Sequence, residues 1–312
     1  MNTGSVDDII NYLNIYYPES ESILIGCRTG SCNCYECCEY DIIVLDSKIE
    51  DIKVIKKYKY NLFQLNDKKL KIMLYNKENF VKNTELNFHE YINLTNSFLK
   101  KNVKDYFKEK KYYNQKNFRI LTIRKLAQFA LDCTSIRKQI LNDLLNQNLS
   151  SFYLKMLSFN ALEILIQLFY NMHPSPSHLK YQMNTIKNYS PKIKYYVDLV
   201  SEYLELERSN ISTINRSEKS ILFLLEQNDC NNLEIELFKS KLNFFRTRSM
   251  YVDANLLIHS FIRRQNFSKT YINNYNKLLN FILDVQNKEK IKILKELDSL
   301  FNMIKNFIKN SY

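Results

Sequence analysis

Two stretches decide the fold of this 312-residue chain: Ser22-Ile23-Leu24-Ile25-Gly26-Cys27 and, after a gap, Glu39-Tyr40-Asp41-Ile42-Ile43-Val44. Each contains a run of aliphatic and β-branched residues that is typical of a buried strand, and Gly26 closes the first run. Because side chains alternate along a strand, Glu39 and Asp41 are expected on one face. Two carboxylates on one face repel each other unless a cation lies between them, and such an oxygen pair suits Mg²⁺.

One helix and two further strands flank these stretches. Residues 6–16 have apolar positions at helical spacing and predict a helix that Pro18 ends. The apolar runs 54–65 and 69–75 are separated by a turn at Asn66-Asp67 and predict an antiparallel hairpin. The front of the chain is therefore predicted as one helix followed by about four strands.

From about residue 88 the pattern changes to helical spacing. We expect a rigid break at Pro174-Ser175-Pro176, because two prolines this close cannot lie inside a helix. Helices are predicted at 89–108, 121–146, 152–170, 191–208, 216–227, 232–263 (broken) and 268–308. The chain is therefore predicted to be α+β, with a small mixed β-sheet domain at 1–90 and a mainly α-helical bundle domain at 91–312.

Composition excludes several other architectures. The chain has three glycines, whereas a typical protein has roughly 7%. A TIM barrel, a Rossmann sheet with its Gly-rich turns or an all-β barrel would require more. No stretch reaches ~18 uninterrupted apolar residues, and the N-terminus lacks the features of a signal peptide. We therefore expect a cytoplasmic protein that has no membrane partner.

Charge is distributed unevenly along the chain. Residues 1–95 carry 11 Lys+Arg and 14 Asp+Glu, whereas residues 96–312 carry 34 and 19. A basic rear with interleaved tyrosines is typical of proteins that bind an anionic partner such as a nucleotide or an RNA. The abundance of Asn, Lys, Ile and Tyr is a simpler explanation for part of the lysine excess.

The strand that ends in Gly26, the eleven-residue gap 28–38 and the acid–apolar–acid strand resemble the signature of the polymerase-β-type nucleotidyltransferase superfamily. The resemblance covers about residues 5–80. It implies Mg²⁺-dependent transfer of a nucleotidyl group from a nucleoside triphosphate to a hydroxyl of a small molecule, an RNA or a protein. The residues it implies are Glu39 and Asp41 as catalytic Mg²⁺ ligands, and Gly26, Cys27 and Arg28 as nucleotide-binding residues.

The sequence departs from that family pattern in three respects. Cys27 stands where Ser is usual, and Glu39 stands where Asp is usual. The third carboxylate, which the family carries on a later strand, is missing, and the strand predicted at 69–75 offers Lys71 instead. The Lys71 ammonium could replace a metal by pairing with Glu39 and Asp41. The alternative hypothesis is therefore a catalytically inactive protein of this fold that binds nucleotide or RNA, and enzyme activity stays open.

A cysteine-rich loop lies between the two strands. It contains Cys32, Cys34, Cys37 and Cys38 within seven residues. Thiolates so close together can bind Zn²⁺ or a related soft ion, either as a set of four or as three with Cys27 added. The alternatives are a reduced loop without metal and a set of redox-sensitive thiols. Zn²⁺ is therefore the second ion that the sequence suggests, after Mg²⁺.

Overall fold

The computed structural model describes residues 4–25, 27, 35–46, 60–66, 68–76, 98–99, 115–169, 174–226, 232–265 and 269–310. Internal contacts divide the chain into two compact units, Met1–Phe118 and Arg119–Tyr312. The predicted domain boundary after residue 90 lies outside the described residues and stays a prediction. Each unit is described by itself below.

The first unit is a mixed β-sheet with one helix among its described elements. These are α1 (Gly4–Tyr16), β1 (Glu21–Ile25), β2 (Tyr40–Asp46), β3 (Tyr60–Leu65), β4 (Lys68–Asn76) and the two-residue β5 (Phe98–Leu99). The strand order is β3-β4-β2-β1-β5. Only β2 and β4 pair in parallel, whereas the other three neighbouring pairs are antiparallel. Together with the helices described below, this sheet confirms the predicted α+β class.

The hairpin between β3 and β4 is confirmed. Its two strands pair antiparallel from Tyr60 opposite Met73 to Leu65 opposite Lys68. Asn66, in the turn, has a φ of 54°, in the left-handed region that asparagine tolerates better than most residues. The hairpin brings β4 back beside β2, and this pairing sets which β4 side chains face the strand that carries Asp41.

The core of the first unit forms on one face of the sheet. Tyr40, Ile42 and Val44 alternate along β2 and pack with Leu70 and Ile72 of β4 against α1, which contributes Ile9 and Leu13. Lys68 Nζ donates to Asp8 Oδ2 of α1 at 2.8 Å on the same face. The odd-numbered residues of β2, including Asp41, therefore point to the opposite face.

The remainder of the chain is helical in its described part. The helices are α2 (Gln115–Leu141), α3 (Gln147–Phe169), α4 (Leu179–Lys187), α5 (Pro191–Tyr203), α6 (Ile211–Glu226), α7 (Asn232–Thr247), α8 (Tyr251–Arg264), α9 (Lys269–Ile282) and α10 (Lys290–Asn310). A single 3₁₀ turn at Leu206–Arg208 follows α5. The predicted break is confirmed, because residues 174–178 are not helical and α4 begins directly after them.

One predicted helix is wrong where it can be compared with the structure. The sequence suggested a helix over 89–108, yet Phe98 and Leu99 form β5 and pair with Leu24 and Ile23. The other residues of that range lie outside the described residues. Apolar spacing alone does not distinguish a short strand from a helix, and here the free edge of β1 supplies backbone partners that the local sequence does not reveal.

Helix α3 is the centre of the second unit. It packs against α4, α5, α8, α9 and α10, and Phe159, Leu162 and Ile166 have no exposed surface. By length and composition alone α3 is also the one helix, among those described, that could cross a membrane. Its apolar surface is accounted for by packing, because most of that surface is buried inside the unit.

Candidate functional site

The ends of β1 and β2 bring the two diagnostic stretches together. The antiparallel register pairs Ile23 with Ile43 and Ile25 with Asp41. The last residue of β1 therefore lies beside the second acid of the predicted pair. If the same register continued past the strands, Cys27 would lie across from Glu39.

The predicted carboxylates lie at the start of β2. Glu39 directly precedes the strand and is buried, with 9% of its surface exposed. The Asp41 side chain is 26% exposed and faces away from the core that Tyr40 and Ile42 form with α1. Asp41 therefore lies near the start of a strand with part of its side chain exposed to water.

Lys71 occupies the position next to Asp41 on the neighbouring strand. The parallel register pairs the two residues directly, so both side chains project from the same face of the sheet. Lys71 Nζ lies 4.0 Å from Asp41 Oδ1, and the Lys71 side chain is 20% exposed. The same register, continued one step, would place Lys69 across from Glu39.

The strands described after β2 offer no third carboxylate for a divalent ion. The family pattern needs a third carboxylate on a later strand, and the sequences of β3, β4 and β5 contain no Asp or Glu. An ammonium lies instead beside Asp41. The ammonium beside Asp41 lowers the attraction of that carboxylate for Mg²⁺.

Two cysteine thiols meet beside this strand end. Cys27 and Cys38 are both buried, and their Sγ atoms lie within 4.8 Å of each other. Cys38 follows a turn in which its backbone amide donates to Tyr35 O at 3.1 Å. Cys and its thiolate are soft ligands, so this pair is compatible with a bound soft metal ion.

The other residues predicted for the site are only partly described. Cys37 is buried in the turn before β2. Gly26, Arg28, Cys32 and Cys34 lie outside the described residues, so their predicted roles stay predictions. The sequence suggested Cys27 as a nucleotide-binding residue and as an added metal ligand for the loop. Cys27 lies close to Cys38 because β1 and β2 are neighbouring antiparallel strands. The sequence of each strand taken alone does not reveal that the two strands are neighbours.

The second unit has its own cluster of buried ionisable groups at the start of α4. His178 precedes the helix and is fully buried. Asp253 of α8 is also buried, and its Oδ2 lies 3.7 Å from Lys180 Nζ. Burial raises the pKa of Asp253, whereas Lys180 and His178 act in the opposite direction. The cluster links the proline-containing break to α8.

A second polar cluster joins two loops of the second unit. Lys155 Nζ donates to Glu205 Oε2 at 3.0 Å and to the backbone oxygen of Asp284 at 3.1 Å. Lys288 Nζ bridges Glu205 Oε1 at 3.6 Å and Glu296 Oε2 at 2.8 Å. Burial lowers the pKa of Lys155, and the Glu205 charge opposes that shift.

Arginines extend this cluster around Asp284. Arg208 lies 3.3 Å from its carboxylate, and Arg216 pairs with the same carboxylate. Glu205 and Asp284 have φ angles of 57° and 49°, which lie in the left-handed region and are costly for residues other than glycine. The ion pairs stabilise two loop conformations that would otherwise be unfavourable. We therefore assign this cluster a structural role.

Comparison with known proteins identifies no relative of this chain. No protein-family model matches the chain, and no curated protein or solved structure matches it either. The resemblance to the polymerase-β-type nucleotidyltransferases therefore depends on Gly26, Cys27, Glu39 and Asp41 and their spacing. Membership of that superfamily stays a prediction.

Proposed function

We propose that this protein is a catalytically inactive member of the nucleotidyltransferase-like fold, and that it binds a nucleoside triphosphate without a divalent ion at Glu39 and Asp41. The observation that carries the proposal is the Lys71 ammonium, 4.0 Å from Asp41 Oδ1. A lysine here supplies the positive charge that a metal supplies in active nucleotidyltransferases of the superfamily that the sequence resembles. We further propose that the protein works in the cytoplasm, where thiols stay reduced.

The lysine weakens the electrostatic attraction of the site for a divalent metal. Two unit charges 4 Å apart interact with about 4 kcal/mol at an effective dielectric constant near 20. A divalent ion bound at Asp41 would be repelled by the Lys71 ammonium by an energy of at least this order. Replacing a carboxylate by an ammonium also changes the charge of the site by two units. Both effects disfavour Mg²⁺ and support binding without it.

The proposed ligand follows from charge and from the resemblance. Lys69 and Lys71 project from the same face of β4, and their ammonium groups suit a polyphosphate. Gly26, Cys27 and Arg28 stay the residues that we propose for phosphate contact. RNA is the other anionic ligand that the resemblance and the basic rear of the chain suggest, and it enters the test below as a competitor.

Mg²⁺-dependent nucleotidyl transfer is the second candidate function. The acid–apolar–acid pattern of Glu39, Tyr40 and Asp41 favours it, because that pattern holds the metal in active members of the superfamily that the sequence resembles. It would require a third carboxylate from outside the described residues. Zn²⁺ in the cysteine loop remains compatible with either function, since the loop joins the two strands that carry the site.

The two functions are separated by a binding and transfer experiment. Each of the four labelled nucleoside triphosphates would be titrated into the protein in the presence of EDTA, with unlabelled RNA as competitor. Transfer would then be assayed with Mg²⁺ for the wild type and for Asp41→Ala. We expect saturable binding in EDTA, and equal background transfer for the two proteins.

The outcomes that contradict the proposal are equally specific. Binding that appears only with Mg²⁺ would favour the transferase, as would transfer by the wild type that Asp41→Ala abolishes. Binding of RNA with no binding of any nucleoside triphosphate would replace the ligand that we propose. Failure to bind either a nucleoside triphosphate or RNA would overturn the proposed binding function itself.

A further inference from the structure

The thiol of Cys27, a residue of the proposed phosphate contact, lies beside that of Cys38, which the proposed nucleotide site does not use. Cys27 lies just beyond the end of β1, and Cys38 lies just before β2. Only 6% of Cys27 and 5% of Cys38 are exposed, and the two Sγ atoms lie within 4.8 Å of each other. No disulfide joins the two sulfurs.

We infer that Cys27 and Cys38 are two ligands of a thiophilic cation, Zn²⁺ or Cu⁺. A Zn–S bond is about 2.3 Å long. Two sulfurs that are each about 2.3 Å from the same ion are therefore about 3.8 Å apart in tetrahedral geometry, and at most about 4.6 Å apart when they lie on opposite sides of it. Both spacings lie within the 4.8 Å that separates these sulfurs at most.

The position of the pair explains what such an ion would do. Ile25 pairs with Asp41, and Cys27 and Cys38 lie just beyond these two neighbouring strand ends. An ion bound by both thiolates cross-links the ends of β1 and β2 without a covalent disulfide. It would stabilise the first unit by binding the folded state only.

The chemistry of binding is balanced by proton release. Each thiol loses its proton to solvent as the sulfur binds the cation, so two protons leave for every ion bound. No oxidant is required, and the sulfurs keep their oxidation state. This distinguishes the cation from a disulfide, whose S–S distance of about 2.05 Å would require the sulfurs to approach and two electrons to leave.

The choice of cysteines differs from the set predicted for the loop. The sequence suggested Cys32, Cys34, Cys37 and Cys38, whereas the pair inferred here combines Cys38 with Cys27. The inference does not depend on nucleotide binding, since its readout is metal content. Its ligand class is soft because thiolates bind Zn²⁺ and Cu⁺ far better than Mg²⁺.

The test is the metal content of the full chain. Protein purified with a phosphine reductant would be analysed by mass spectrometry for bound metal, and then titrated with Co²⁺ and Cu⁺. We expect about one ion per chain, a thiolate-to-Co²⁺ absorption band and a lower melting temperature after chelation. Cys27→Ser and Cys38→Ser should each lose the ion and the band.

Two matched controls keep the inference falsifiable. Cys37→Ser changes the neighbouring thiol of the same turn, and Cys133→Ser changes a buried thiol of the second unit whose pKa burial raises to about 12. Both should keep the ion. A wild type that binds neither Co²⁺ nor Cu⁺ overturns the inference without any variant, as does a disulfide-linked peptide containing residues 27 and 38. Loss of the ion in Cys37→Ser together with its retention in Cys27→Ser would also overturn it.

Discussion

A lysine and a carboxylate form an ion pair in each unit, and the two pairs differ in burial and in the number of partners. In the second unit, Lys155 and Glu205 lie 3.0 Å apart with side chains 4% and 11% exposed. In the first unit, Lys71 and Asp41 lie 4.0 Å apart with side chains 20% and 26% exposed. The Lys155–Glu205 pair is enclosed in a core, whereas the Asp41–Lys71 pair is open enough for a ligand to reach it.

The difference shows what each pair contributes. A buried charge is tolerated only when its partners replace the water that it has lost. Lys155 meets this requirement through Glu205 and the backbone oxygen of Asp284. The Asp41–Lys71 pair keeps contact with water, and its net effect on folding is expected to be small. We therefore expect the fold of the second unit to depend on the Lys155–Glu205 pair, and the proposed ligand binding to depend on the Asp41–Lys71 pair.

The largest expected effect is from Lys155→Met. Removing the ammonium leaves the buried Glu205 carboxylate with one fewer partner, and such changes cost about 3–5 kcal/mol. The free energy of unfolding would be measured in urea by far-UV circular dichroism, which follows the helices. Lys194→Met is the matched control, because Lys194 forms an exposed pair with Asp198 and should cost roughly 0.5 kcal/mol or less. Equal effects from both variants would contradict the distinction between the pairs.

Acid should destabilise the second unit through His259. Burial lowers the pKa of His259 to about 3, and the Lys155 charge acts in the same direction. In the unfolded chain His259 binds a proton as the pH falls through about 6.5, whereas in the folded chain it stays neutral down to about pH 3. The contribution of His259 to the free energy of unfolding is therefore fully present above pH 6.5 and is lost as the pH drops toward 3. We expect a loss of roughly 3 kcal/mol between about pH 7 and pH 4.

The variant that tests this origin is His259→Leu. His259 stacks on Phe159 with ring centroids 5.7 Å apart, and no described residue gives its Nε2 a hydrogen bond. Leucine keeps an apolar side chain beside Phe159 and removes the titration. The pH dependence of unfolding should become correspondingly flatter than in the wild type. An unchanged slope would assign the acid sensitivity to other groups.

A smaller effect on folding, with a specific effect on binding, is expected from Lys71→Met. The pair is partly exposed, so the free energy of unfolding should change by about 1 kcal/mol or less. The affinity for a nucleoside triphosphate in EDTA should fall about tenfold, which corresponds to about 1.4 kcal/mol. Lys68→Met is the control, because Lys68 is on the same strand but pairs with Asp8 on the opposite face. Equal losses of affinity would remove Lys71 from the proposed site.

The smallest expected effect is from Asp198→Asn. Hydrogen bonds from Lys187 and Lys194 lower the pKa of the Asp198 carboxyl, but the group is exposed to water. The change in melting temperature should be small at low ionic strength and should vanish in high salt, because screening removes exposed ion pairs. A large effect that salt does not reduce would mean that the exposure of an ion pair does not predict its contribution to stability.

Local patterns predicted most of the individual elements. The alternation around Tyr40 and Ile42, the break at the two prolines and the turn at Asn66 each correspond to a local physical preference. Those preferences act over a few residues, so a single sequence reveals them. The helix predicted at 89–108 was wrong at Phe98 and Leu99 because their strand depends on β1, which is distant in sequence.

The candidate site was less accessible to sequence analysis. The sequence suggested Lys71 as a partner of the acids, but only the parallel register of β2 and β4 shows that it lies beside Asp41. The proximity of Cys27 and Cys38 likewise depends on how β1 and β2 pair. The buried cluster of Lys155, Glu205 and Lys288 has no local sequence signal, because its members come from loops and helices far apart in the chain.

The most direct test of the central claim is Mn²⁺ binding, measured by electron paramagnetic resonance as a substitute for Mg²⁺. If Lys71 takes the place of the divalent ion, the wild type should bind no stoichiometric Mn²⁺, and Lys71→Asp should gain a site. A wild type that binds Mn²⁺ stoichiometrically, and loses it in Asp41→Ala, would contradict the account.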